Sequence, residues 1–216
     1  MTNNIKGVFF DLDGVIINSS SLWDYIITTI VDKYALDTEL LKENDGYNLS
    51  TEDAIRLILE KSNRFSPSLY SEITEHIEYL YALYFTEKTS LMDEIIDVLE
   101  WLMNNNIKLA LVSNSSNTQV ATILEYYELN KYFCQNIVTS TEVIQGKPHQ
   151  EPYLKALEKS GLQKGEVLVV EDSLTGIASA KNAELEYILV DNKKSNKLMV
   201  DNISLWQYLK DRIVLQ

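Results

Sequence analysis

The feature that most constrains this chain is a change of apolar period that repeats along its length. Short apolar runs, VFF at 8–10, IKLALV at 107–112, VLVV at 167–170 and YILV at 187–190, alternate with stretches whose apolar residues recur at helical spacing. Runs this short and rich in branched residues read as fully buried strands, and strands that alternate with helices build a parallel sheet. The first strand is read over residues 7–17. A weaker strand at 137–139 lies between helices at 117–127 and 152–160, and a helix at 175–183 precedes the last strand. A helix at 91–103 ends in the turn Asn104, Asn105, Asn106.

One long stretch breaks the alternation. Leu22, Trp23, Ile26, Ile27, Ile30, Val31 and Tyr34 recur at helix spacing behind Ser19 to Ser21, which are capping candidates. A second helix opens at STEDAIRLIL, where Ser50 and Asp53 have capping-box spacing with Asp in place of Glu. A third follows Pro67, with Leu69, Ile73, Ile77, Leu80, Tyr81, Tyr84 and Phe85 along one side. Residues 17–87 therefore read as an all-helical block inserted into a core formed by 1–16 and 88–216.

Composition narrows the function. With 216 residues, 45% of them hydrophobic, the chain can bury a full core. No apolar run reaches the roughly 18 residues of a membrane helix, and residues 1–6 are too short and polar for a signal peptide. A lone Cys134 excludes an internal disulfide, so a cytoplasmic home is expected, with Cys134 as a small core residue. A formal charge of −13 argues against nucleic acid or an anionic membrane as partner and suits a bound divalent cation. His76 and His149 are expected at the surface, the 13 tyrosines in packing, and the chain as a monomer or weak dimer.

The strand ends carry the chemistry. Three apolar runs finish in short polar residues: Asp11 with Asp13, Ser113 with Asn114, and Glu171 with Asp172. In open parallel sheets ligands bind beyond the carboxyl ends of the strands, so these groups are expected to face one crevice. Four converging carboxylates repel unless a cation relieves them, and oxygen donors of this kind select Mg²⁺. Each residue also has a plainer reading. Asp13-Gly14 is a turn signal, Ser113 to Ser116 can cap the next helix, Lys147 can be solvated, and Glu171 with Asp172 can cap the helix after them.

The segments FFDLDGV, LVSNSS, GKPHQEPY and VVEDSLTGIASAKNAE resemble, in order and spacing, the four motifs of the haloacid dehalogenase-like phosphohydrolases, in the subgroup with a helical cap after the first motif. The resemblance spans the whole chain. It implies an α/β fold, a Rossmann-like parallel sheet with an inserted all-helical cap. It implies that Asp11 attacks phosphorus and becomes an aspartyl phosphate, while Asp13 is the acid and base. Ser113, Asn114 and Lys147 would hold the phosphoryl group. Asp11, the carbonyl of Asp13, Glu171 and Asp172 would hold Mg²⁺.

Departures from the pattern choose among activities. Asp13 favours phosphate chemistry, since the dehalogenases that name the family lack the second acid. The β-phosphoglucomutase group carries a histidine, an arginine and a lysine where this chain has Trp23, Thr51 and Ser116. Asn48 replaces a loop glycine, Gln150 a proline, and Glu184 a glycine whose loss is expected to alter only a turn. The expected activity is therefore Mg²⁺-dependent hydrolysis of a small phosphorylated metabolite, a sugar or polyol phosphate. A sugar-phosphate mutase and a non-catalytic, receiver-like phosphate binder are the alternatives. Residues 17–87 hold five basic side chains (Lys33, Lys42, Arg56, Lys61, Arg64) against thirteen acidic ones. Such a cap is expected to disfavour bisphosphates and nucleotides, because buried anions must be paired.

Overall fold

The computed structural model describes residues 5–44, 50–192, 196–201 and 203–213, with side chains 42–44 left out. Asn48 and the side chain of Lys42 lie outside the described residues. Strands β1 (Gly7–Phe10), β4 (Lys108–Val112), β5 (Ile137–Val138), β6 (Val167–Glu171) and β7 (Glu186–Leu189) form one parallel sheet in the order β5-β4-β1-β6-β7. β2 (Ile17–Asn18) and β3 (Ser90–Leu91) are two-residue strands, and β8 (Met199–Val200) and β9 (Ile203–Ser204) form an antiparallel pair. The helices are α1 (Ser20–Tyr34), α2 (Thr51–Lys61), α3 (Pro67–Lys88), α4 (Ile95–Asn104), α5 (Asn117–Tyr126), α6 (Asn130–Phe133), α7 (Glu151–Ser160), α8 (Leu174–Asn182) and α9 (Leu205–Arg212). A 3-10 turn runs over Thr38–Asn44.

The chain divides into two compact units, Met1–Asn18 with Leu91–Gln216, and Ser19–Ser90. In the first, β1 is central, and Phe9 lies opposite Ala110 on one side and Val169 on the other. All four residues of β1 are buried, the continuous apolar run that a strand covered on both faces requires. Phe9, Ala110, Val112, Val169, Ala156 and Ala180 belong to one cluster that packs α7 and α8 on the sheet. Each fully buried aliphatic side chain contributes about 1.5–3 kcal/mol relative to exposure.

In the second unit, α1, α2 and α3 bury Leu22, Ile26, Leu59 and Ile73. Ser50 Oγ accepts the Asp53 N–H at 3.1 Å, the expected cap, but the Asp53 carboxylate returns to the Ser50 hydroxyl at 2.8 Å. Ser66 caps α3 through the Leu69 N–H, and Pro67 sits at its first position, where the missing N–H costs nothing.

Several expectations need correction. β1 stops at Phe10 rather than running to residue 17, because the N–H groups of Ile16 and Ile17 both turn back to the Leu12 carbonyl. The helix expected from residue 91 starts at Ile95, since Met92 donates to the Ile16 carbonyl and Glu94 is left-handed at φ 62°. Cys134 is exposed, not core; it ends the single turn of α6 with φ 48° and points outward. His76 and His149 are partly exposed, in line with their expected surface positions, His76 lying against the Tyr34 ring and His149 accepting the Glu151 N–H through Nδ1. Among the described residues no helix is long and apolar enough to cross a membrane.

Candidate active site

Three neighbouring strands deliver the site. Asp11 continues β1 by one step, its N–H donating to the Val170 carbonyl at 3.0 Å, which sets it beside the end of β6. Ser113 continues β4 in the same way, donating to Val138 at 2.9 Å, and Glu171 is the last residue of β6. Parallel register brings the three ends to one level. That level is the carboxyl edge where open sheets bind ligands.

Lys147 ties the ends together. Its Nζ donates to Asp11 Oδ1 at 2.7 Å, the Val112 carbonyl at 2.7 Å and Glu171 Oε1 at 2.5 Å. All three protons of the ammonium are thereby engaged. Lys147 and Asp11 are buried and Glu171 has no exposed surface. Burial works to lower the Lys147 ammonium, but Asp11 and Glu171 outweigh it and hold its pKa above the usual lysine range. Burial pushes the Asp11 carboxyl well up, against the opposing pull of Lys147, with Glu171, Asp172 and Asp13 adding repulsion. Asp172 is raised to about 6, by burial first and then by Glu171.

Oxygen atoms of Asp11, Glu171 and Asp172 lie within 4.8 Å of one another, a grouping able to hold a metal ion. The donor set fits a hard cation, being all oxygen with three carboxylates against one ammonium. Asp13 stands outside that grouping and accepts the Ser115 hydroxyl at 2.9 Å. A turn makes this possible. Gly14 adopts φ 81°, and a Cβ there would lie 2.0 Å from Asp172 Oδ2, so only glycine lets the loop close on the acid.

The polar residues after β4 divide their work. Ser113 Oγ accepts the Ser115 N–H at 3.0 Å. Asn114 reaches the site through Lys147, its amide accepting the Lys147 N–H at 2.8 Å and donating to the Lys147 carbonyl at 3.0 Å. Ser116 forms a complete capping box on α5 with Gln119. The cap of α8 is Ser173, which accepts the Gly176 N–H at 3.0 Å, and so Glu171 and Asp172 are free of that duty.

Sequence reasoning missed four participants. Ser115 holds Asp13. Asn192 Nδ2 bridges the Gly14 carbonyl at 2.6 Å and Asp172 Oδ2 at 3.2 Å. Tyr153, fully buried on α7, donates to Glu171 Oε1 at 2.7 Å, and Ser173 donates to Glu171 Oε2 at 3.2 Å. Ser115, Tyr153 and Ser173 were legible, standing inside the quoted LVSNSS, GKPHQEPY and VVEDSLTGIASAKNAE; nothing in the sequence marks Asn192 in its loop.

The model of the haloacid dehalogenase-like hydrolase family matches residues 8–190. The chain belongs to that family. This hydrolase is 28% identical over 194 residues to a phosphorylated carbohydrates phosphatase of Thermotoga maritima, covering 85% of this chain and 84% of that one. It is 29% identical over 203 residues to a phosphoglycolate phosphatase of Salmonella typhimurium, covering 83% and 79%. Among solved structures, a β-phosphoglucomutase from Clostridium difficile superposes with a TM-score of 0.77 at 23% identity over 97% of each chain. That likeness establishes the α/β fold of the family.

Proposed function

We propose that this hydrolase is a Mg²⁺-dependent phosphatase acting on a small phosphomonoester, a sugar or polyol phosphate, with the helical insertion read at 17–87 as its cap. The observation that carries the reading is the meeting of Asp11, Lys147, Glu171 and Asp172 at the ends of adjacent parallel strands. Asp11 and Asp172, with the Asp13 carbonyl and the Glu171 carboxylate beside them, would hold Mg²⁺. When bound it supplies the positive charge that lets an anionic phosphoryl group approach a carboxylate.

The chain's own residues perform the steps. An Asp11 carboxylate oxygen forms a bond to phosphorus as the bond to the alcohol oxygen breaks, and Asp13 gives that oxygen its proton. Asp13 then takes a proton from water, whose oxygen attacks the aspartyl phosphate and releases inorganic phosphate with Asp11 restored. Lys147 offsets charge on the phosphoryl oxygens, Ser113 offers them a hydroxyl, and Asn114 serves by fixing the Lys147 backbone. Ser115 orients Asp13.

Two sets of contacts favour a singly phosphorylated substrate. Trp23 is tilted against the Tyr81 ring at 5.8 Å, Thr51 opens α2 and Ser116 is spent on a cap, so none offers a charge for a second phosphate. Within the helical unit Arg64 donates to the Tyr34 and Ala35 carbonyls at the end of α1, Arg56 lies over the rings of Phe65 and Tyr70, and Lys33 over that of Tyr34. Release of inorganic phosphate from matched mono- and bisphosphates, with and without EDTA, tests the proposal. Magnesium-dependent release from a sugar or polyol monophosphate is expected. No release from any phosphomonoester overturns phosphatase activity, and a preference of about tenfold for a bisphosphate, or isomerisation of a sugar phosphate, replaces it with mutase activity.

A further inference from the structure

Two of the groups assigned above to Mg²⁺ come from different parts of the sheet, the Asp172 carboxylate from the end of β6 and the Asp13 carbonyl from the loop after β1. We propose that Asn192, in the loop after β7, is a positioning residue that staples these two together and so sets the affinity of the site for the cation. The inference rests on the phosphatase reading and adds to its metal site a residue that lies outside all four motif segments.

The amide nitrogen of Asn192 carries two protons, and both are spent across the gap between the strands. Nδ2 donates to the Gly14 carbonyl at 2.6 Å and to Asp172 Oδ2 at 3.2 Å. Gly14 follows Asp13, and its N–H, which shares a peptide plane with the Asp13 carbonyl, donates to the Ile17 carbonyl at 2.7 Å. The peptides on either side of the Gly14 Cα are thus each held by a bond. The three groups also touch, since a Cβ on Gly14 would lie 2.0 Å from Asp172 Oδ2 and 2.9 Å from Asn192 Nδ2. The backbone that presents the amide is itself tied back to the strand end that carries Asp172. Val190 donates to the Glu171 carbonyl at 2.7 Å, and Asp191 exchanges hydrogen bonds with Met199 at 2.8 and 3.1 Å.

The chemistry of the position calls for a donor without charge. Asp11, Glu171 and Asp172 already repel one another, so a carboxylate at 192 would add to the excess, whereas a lysine would supply the positive charge that the cation brings. An amide orients the Asp172 carboxylate and leaves its charge for the ion. Without that amide, Asp172 loses a donor that fixes its rotation and the Gly14 carbonyl loses its partner. Both ligands then have to be ordered when the ion binds, at a cost in affinity.

Calorimetric titration of the full chain with Mg²⁺ alone tests this without turnover. Asn192→Leu keeps the volume of the side chain and Asn192→Ala leaves space. Both are expected to raise the dissociation constant about 10- to 100-fold, the range found for partners that orient metal ligands. Asn105→Leu, which removes an amide bonded to the Trp101 carbonyl at the end of α4, is expected to bind Mg²⁺ within about twofold of wild type. At saturating Mg²⁺ the kcat of Asn192→Leu is expected within about threefold of wild type with the phosphomonoester KM nearly unchanged, a rescue that general loosening of the fold would not give. A folded Asn192→Leu or Asn192→Ala whose dissociation constant stays within about threefold of wild type overturns the inference. So does a kcat that excess Mg²⁺ fails to restore, or a wild type to which Mg²⁺ does not bind. A wild type that binds Mg²⁺ but hydrolyses no phosphomonoester overturns the proposed function alone, and the titrations then decide this inference.

Discussion

Among the described residues, the unit Ser19–Ser90 buries a single polar side chain, Ser19, whereas the unit formed by Met1–Asn18 and Leu91–Gln216 buries nine, three of them charged. Both units have aliphatic cores of ordinary kind. In the helical unit most polar contacts are local, such as Ser50 with Asp53, Ser66 with Leu69 and Thr29 with the Tyr25 carbonyl, and its charges face water. In the sheet unit Asp11 and Lys147 are bonded across 136 residues and Ser115 and Asp13 across 102. The contrast teaches where a fold stores electrostatic cost. Buried charge is held only when partners are supplied, and it is supplied where three strand ends meet.

The largest test of that contrast is Asp11→Asn. On the proposed mechanism turnover should drop by about three orders of magnitude or more, because that mechanism gives no other group the attacking role of Asp11. The melting temperature should hold or rise, since the change removes one of the mutually repelling carboxylates. Retention of more than about a tenth of wild-type rate would exclude a covalent route through Asp11.

Two lysines put the units side by side. Lys147→Met strands Asp11 and Glu171 without their counter-ion and should cost about 3–5 kcal/mol in denaturant unfolding. Lys61→Met, at an exposed position near the end of α2, should change stability by less than about 0.5 kcal/mol. Equal effects would erase the distinction between the units.

A pH series sharpens it further. Asp172 is raised from 3.8 to about 6 in the folded chain, so between these values the folded state binds more protons than the unfolded one. Stability of the protein in EDTA should therefore decline as pH climbs from about 4 through about 6 and then level. Asp172→Asn should flatten that part of the curve, which thermal melts at a series of pH values would show. An unchanged slope counts against charge excess at the site.

The smallest expected effect is at Glu184, which adopts φ 60° where a glycine is common in the family. Glu184→Gly should relieve left-handed strain and add up to about 1 kcal/mol, partly offset by the loss of an exposed ion pair with Lys164 at 3.1 Å. A melting temperature that falls would show the pair to outweigh the strain.

The strands expected at 107–112 and 167–170 appear within one residue of those bounds, because a buried strand must be apolar on both faces and so leaves a continuous mark. Helix α9 went unnoticed although Ser204, Gln207, Leu205 and Leu209 carry a cap and a repeat; one short turn pattern at the end of a polar stretch is easily passed over. Helix α6, at four residues, has no period to read.

The sequence by itself determined the α/β alternation, the helical insertion and the residues at the strand ends, since each leaves a local signature of period or of polarity at a boundary. Only the tertiary structure decided how those residues are partnered: that Asn114 grips the Lys147 backbone, that Ser115 holds Asp13, and that Tyr153 and Ser173 confine Glu171. These are choices between chemically equivalent donors far apart in the chain. Periodicity is blind to them, because which hydroxyl meets which carboxylate depends on strand register and on where each helix lies on the sheet.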